Sequence, residues 1–227
     1  MVKIIVLSLD TEIGKERRDK LNYEFEIDYG NTILDLVDPE IIRRMRKNEE
    51  LAKLHRVKCC HFDQYIKLLK RIVNEKIDNV IICEDDAILR YIPTDINSEV
   101  IEEYEPILLN GKLAHPRNWK YNTNDYINNY LKPEINNFKK GINKIDYDKY
   151  RWSCCACIFY PSYRSAQKIL NYFKNDKKSI TYMDLWMSKN KLIKYLYYPS
   201  VFIINDGGVS QVADHNHGVI CDYVVKK

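Results

Sequence analysis

The sequence predicts an α/β fold with a mostly parallel sheet, and three observations carry that expectation. Short β-branched runs alternate with amphipathic stretches of helical period. The clearest helix, "HFDQYIKLLKRIVNEK", stands directly before the apolar run "VIICEDD". In the second half, "WSCCACIFYPS" and "YLYYPSVFII" read as strands on either side of the helical "SYRSAQKILNYFK". At 227 residues, 45% hydrophobic and 30% charged, the chain has the length and composition of one globular domain.

Each element has its own justification. "KIIVLSLD" (Lys3 to Asp10) is a β-branched run ending at polar residues, hence a buried strand. "GKERRDKLNYEF" has helical character, and the charged segment from Asn31 to Arg56, with Pro39, reads as short helices or loop. Phe62, Tyr65, Ile66, Leu69, Ile72 and Val73 then recur at helical spacing, with Lys and Arg opposite. Asp78-Asn79 turns the chain into "VIICEDD", and "PILLNGKL" is a further strand. His115 to Tyr150, rich in Asn, Tyr and Lys, reads as a long functional loop with small helices. The tail "NDGGVSQVADHNHG" reads as a polar loop.

Composition excludes several classes. A net charge of +4 from 36 basic and 32 acidic residues, with no dense basic run, argues against nucleic acid. Seven cysteines without paired C-x-x-C knuckles argue against structural zinc and fit a reducing cytosol. The amino-terminal apolar run is too short for a signal peptide or a membrane span.

Four features could carry chemistry. Glu84, Asp85 and Asp86 close a hydrophobic strand; in an extended chain Glu84 and Asp86 would share one face and Asp85 the other. Carboxylates at a strand's carboxyl end can hold Mn²⁺ or Mg²⁺ on a diphosphate, although spacing alone favours a solvated strand end. "DHNH" places His215 and His217 two apart, as metal ligands or as an exposed polar loop. Asp184, an isolated acid in "TYMDLWMS", fits a general base with a raised pKa or a helix cap. His61, before the amphipathic helix, reads as a satisfied structural histidine or a site residue.

Taken in order, "IIVLSLDTEIGKERRDKL", "CHFDQYIKLLKRIVNEKIDNVIICEDDAIL", "CCACIFYPSYRSAQKIL", "ITYMDLWMS" and "YYPSVFII" resemble the family-25 glycosyltransferases, which include lipopolysaccharide and collagen galactosyltransferases. The likeness spans most of the chain and is strongest at Glu84-Asp85-Asp86. Cys60 stands where the family usually has Ser, the Gly-Cys pair upstream is missing, and Asn110 to Tyr150 matches nothing, which marks a divergent member.

The resemblance implies a single domain of GT-A type over residues 1–227, a Rossmann-like nucleotide-binding mixed sheet flanked by helices, with a loop insertion at about 110–150. It implies transfer of galactose or glucose from a UDP-sugar to a glycan or protein hydroxyl, with inversion and with Mn²⁺ (or Mg²⁺) as cofactor. In that scheme Asp86 binds the metal, helped by His215 or His217. Ser8, Leu9, Arg17, Glu84 and Asp85 meet the nucleotide-sugar, and Asp184 is the base. Two other readings use the same residues: a nucleotide-sugar or carbohydrate-binding module without turnover, and a metal-dependent phospho- or nucleotidyltransferase. The latter is disfavoured by the absence of a Gly-rich phosphate loop.

Overall fold

Seven strands form one mixed sheet with helices packed against it. The computed structural model describes residues 2–45, 52–93, 96, 105–116, 124–176 and 178–204. Strand β1 (Lys3–Leu9) is buried from Ile4 to Ser8. Ile5 and Leu7 enter one core and Ile4 and Val6 the other, so both faces are covered and the run is apolar throughout. Helix α1 (Glu12–Arg18) follows, then β2 (Glu26–Gly30), parallel to β1. The helix expected from Gly14 therefore stops at Arg18. Strand β2, "EIDYG", has one aliphatic residue; pairing with β1, not an apolar pattern of its own, makes it a strand.

Helix α2 (Pro39–Met45) opens on a proline, whose missing N–H is no loss at a first helical position. Helix α3 (Ala52–Asn74) begins well before the predicted start. It buries Phe62, Tyr65, Ile66, Leu69 and Ile72, each stabilising by about 1.5–3 kcal/mol. The turn out of α3 uses Asn79 at φ 56, a left-handed conformation that Asn tolerates. Strand β3 (Val80–Glu84) then pairs parallel to β1. It ends at Glu84, and Asp85-Asp86 form a turn into β4 (Ala87–Leu89). Glu84 and Asp86 thus do not share a strand face as expected, because the extended backbone stops before the third acid.

Strand β5 (Ile107–Ala114) comes next. Within the segment expected as a loop lie α4 (Asn124–Tyr126), a π turn over Ile127–Leu131, α5 (Lys132–Asn136) and strand β6 (Gly141–Lys144). Strand β7 (Arg151–Tyr160) leads to α6 (Tyr163–Asn175), capped by Ser162, whose hydroxyl accepts from the Arg164 amide. Helix α7 (Met183–Lys189), β8 (Tyr195–Tyr198) and β9 (Phe202–Ile204) complete the described elements. The late strand expected from "YLYYPSVFII" is thus two strands in different sheets.

The main sheet has the order β2-β1-β3-β7-β5-β8-β6, and β4 and β9 form a separate antiparallel pair. Strands β1, β2, β3, β5 and β8 run one way; β7 and β6 run against them. A mixed sheet is what the resemblance implied, and the apolar pattern alone could not reveal the two reversals. Helices α3, α6 and α7 close one core through Phe62, Ile169 and Trp186; Ile81, Ile107, Phe159 and Phe202 build the other. Cys59, Cys60, Cys83 and Cys157 are buried thiols. Among the described residues no helix is long and apolar enough to cross a membrane.

Candidate functional site

The register of the parallel pair creates the site. Leu7 of β1 lies beside Glu84 of β3, so the next residues on each strand, Ser8 and Asp85, come together. The Ser8 hydroxyl donates to Asp85 Oδ2 at 2.6 Å. Thr11 caps α1, its Oγ1 accepting from the Gly14 amide at 3.0 Å. A Cβ on Gly14 would lie 2.3 Å from the Leu9 carbonyl oxygen, so only glycine lets the helix sit this close to the strand end. One turn later, Arg18 Nη1 donates to Ser8 Oγ at 2.6 Å and to the Leu9 carbonyl at 2.9 Å. Its guanidinium also lies 5.1 Å from the centre of the Tyr29 ring. Arg17 Nη1 donates to Asp85 Oδ1 at 3.1 Å and stands 3.9 Å from Asp86 Oδ2. Both oxygens of Asp85 are therefore engaged, and the residue acts as the hub of a charge-assisted network.

Asp86 is placed differently. Its Oδ1 is buried and has no hydrogen-bond partner, and 17% of the side-chain surface is exposed. Burial, reinforced by the charges of Glu84 and Asp85 and opposed by Arg17, pushes its carboxyl up to about 7. At neutral pH this group is poised between acid and carboxylate. A nearby cation would fully ionise it.

Behind the turn lies His61, inside α3 and not before it, because the helix starts at Ala52. Its Nε2 is 3.6 Å from Glu84 Oε1, too long for a hydrogen bond, and is buried without a partner. Burial lowers its pKa, while the charges of Asp184 and Asp85 pull it back up. The imidazole is thus neutral at pH 7, and Glu84 gains little charge compensation from it. Asp184 sits in the first turn of α7, half-buried, near enough to act on His61 through its charge.

Seven of the residues singled out from sequence therefore converge on one end of the sheet: Ser8, Leu9, Arg17, Glu84, Asp85, Asp86 and Asp184. His215 and His217 lie outside the described residues. Among the described residues, no three His, Cys, Asp or Glu side chains form a ready-made metal cage. Arg18 also joins the site; it was not selected from sequence and had only its place beside Arg17 as a signal. His61, which the sequence left open between a structural histidine and a site residue, joins it as a neighbour of Glu84. No protein-family model matches this chain, and no curated protein matches it significantly.

Proposed function

We propose that the chain is a divalent-cation-dependent glycosyltransferase that moves a hexose, galactose or glucose, from a UDP-sugar to an acceptor hydroxyl with inversion. One observation carries the reading. Three consecutive carboxylates crowd the carboxyl end of β3, beside the parallel β1, where open α/β sheets bind ligands, and one buried carboxylate oxygen of Asp86 is left without a partner.

The residues fit a cation of the Mn²⁺ or Mg²⁺ kind. The donor set is all oxygen, and such ions take one or two carboxylates and complete their shell with phosphate and water. Asp86 would hold it, with Glu84 beside it, so a closed cage of protein ligands is not required. Bound there, the cation supplies Lewis-acid stabilisation of the leaving diphosphate. The chain does the rest. Arg18 fixes Ser8 and the Leu9 carbonyl at the strand end, and Arg17 holds Asp85 in place. Asp184 accepts the proton of the attacking hydroxyl.

The test is UDP release from UDP-galactose and UDP-glucose with Mn²⁺, in wild type and Asp86→Asn. Release that needs the cation and is lost in the variant supports the proposal; undiminished release in the variant overturns it. A second reading, a nucleotide-sugar-binding module without turnover, is favoured by Arg17, which already places a fixed positive charge against Asp85 and Asp86. Calorimetric donor binding with no UDP release against a panel of acceptors would select it. A phospho- or nucleotidyltransferase would instead yield phosphate- or nucleotide-bearing products.

A further inference from the structure

Arg17 already does part of a cation's work at the acidic turn. Its Nη1 donates to Asp85 Oδ1 at 3.1 Å and lies 3.9 Å from Asp86 Oδ2. Helix α1 carries it there: Thr11 caps the first turn, and Gly14 lets the helix lie against the Leu9 carbonyl. The neighbouring Arg18 is tied to Ser8 and Leu9, so the helix that presents Arg17 is fastened to β1 at both ends. Glu84 has 33% of its side-chain surface exposed, Asp86 17% and Arg17 15%. An ion or a diphosphate therefore meets these groups from solvent and needs no passage through the core.

The charges decide what binds first. Coulomb energy scales with the product of the charges, so a dication on Asp86 is repelled by the guanidinium twice as strongly as a proton at the same place. A unit charge about 5 Å away changes the binding constant of a dication by about tenfold even at the dielectric of water. The group that steadies the acids in the free protein thus weakens their hold on a free dication. A diphosphate reverses the balance. It brings negative charge to the dication and to the guanidinium together, and a guanidinium binds phosphate oxygens through charge-assisted hydrogen bonds.

We propose that Arg17 couples the two ligands of this site: it holds the acidic turn against a free dication and admits one together with a nucleoside diphosphate. The site is then loaded by the cation–diphosphate pair and not by the cation alone. This role rests on the cation reading of the acidic turn; it does not depend on sugar transfer.

Binding without turnover tests it. Electron paramagnetic resonance follows free Mn²⁺ at pH 8, with and without UDP, in wild type, Arg17→Gln and Arg17→Lys. Arg17→Gln should bind Mn²⁺ alone about tenfold more tightly than wild type, and should bind UDP in the presence of Mn²⁺ about tenfold more weakly. Arg17→Lys keeps the charge and should stay near wild type for Mn²⁺ alone, whereas a packing role would move both variants alike. Arg17→Met, which keeps the length of the side chain without its charge, must repeat the Arg17→Gln result, and thermal unfolding checks that each variant folds. Mn²⁺ binding no tighter in the neutral variants than in wild type overturns the coupling and leaves the cation site standing. Equal gains in the neutral and the Lys variants overturn it too. No Mn²⁺ binding by any of the proteins, with UDP or without, overturns the cation reading itself and the coupling with it.

Discussion

The two ends of the β1–β3 pair carry similar numbers of charged side chains and treat them in opposite ways. At the amino end, Lys3 is 2.6 Å from Glu26, Arg71 also pairs with Glu26, and Arg71 reaches Glu75 at 3.3 Å. All four side chains are at least a third exposed, and two cations meet two anions. Hydrogen bonds from Arg71 and then Lys3 hold Glu26 below its ordinary pKa. At the carboxyl end, Glu84, Asp85 and Asp86 crowd together, and Arg17 contacts the two aspartates. Burial raises Asp86 there. The amino end pairs its charges near solvent, whereas the carboxyl end gathers three acids and leaves a buried Asp86 oxygen without a partner; the proposed function reads the latter as the end that takes up a cation.

The strongest way to break this contrast is Asp86→Asn. Under the proposed function Asp86 holds the cation, and its loss should then lower UDP release by about a hundredfold or more. The same variant has a pH signature in the free protein. Asp86 has a folded pKa above its ordinary value, so its contribution is most favourable below about pH 4 and is lost as pH rises through about 7. Wild type should therefore lose up to about 4 kcal/mol between those limits from this group. Asp86→Asn should flatten that fall, read as the change in Tm between pH 5 and pH 8. An unaltered pH profile would mean that the burial of Asp86 carries no cost.

Asp85→Ala comes next. It leaves the Ser8 hydroxyl and Arg17 without their shared acceptor, a loss of roughly 2–3 kcal/mol for charge-assisted bonds. Urea unfolding measures it. Asp85→Ala should lower stability at pH 7 where Asp86→Asn raises it, which separates the hub of the network from its reactive member.

Much of this contrast was legible in the sequence, and what was not has a physical reason. "KIIVLSL" and "VIICE" announce buried parallel strands because both faces are apolar. Strand β2 announces nothing, since "EIDYG" owes its conformation to its neighbour. The three acids stood out by adjacency, but their separate environments depend on where β3 stops, and a one-residue strand end lies below the resolution of an apolar pattern. Arg18 and His61 reach the site through helix packing, from sequence distances of 10 and 23 residues to Ser8 and Glu84. Only the close approach of α1 to β1, and the early start of α3, bring them there.

Gly14 tests that close approach. In Gly14→Ala the new methyl group meets the Leu9 carbonyl oxygen at 2.3 Å, and backbone cannot swing aside as a side chain can. Helix α1 must shift, at about 1–3 kcal/mol, carrying Arg17 and Arg18 off Asp85 and Ser8. A lower Tm should accompany a raised donor KM. An unchanged donor KM would detach the arginine pair from the site.

The smallest effect belongs to the balanced end and sharpens the comparison by its sign. Glu26→Gln removes an acid whose folded pKa is lowered, so its stabilising contribution is present above about pH 4.5 and vanishes as pH falls. Because Glu26 and its partners are a third or more exposed, solvent screening holds the loss to less than about 1 kcal/mol at pH 7. Half-molar salt should erase most of it. Tm differences from wild type, followed from pH 4 to pH 8, should therefore tilt downward for Glu26→Gln and upward for Asp86→Asn. If both variants tilt the same way, charge balance is not what distinguishes the two ends of the sheet, and the acidic turn loses its claim to be a site built for a cation.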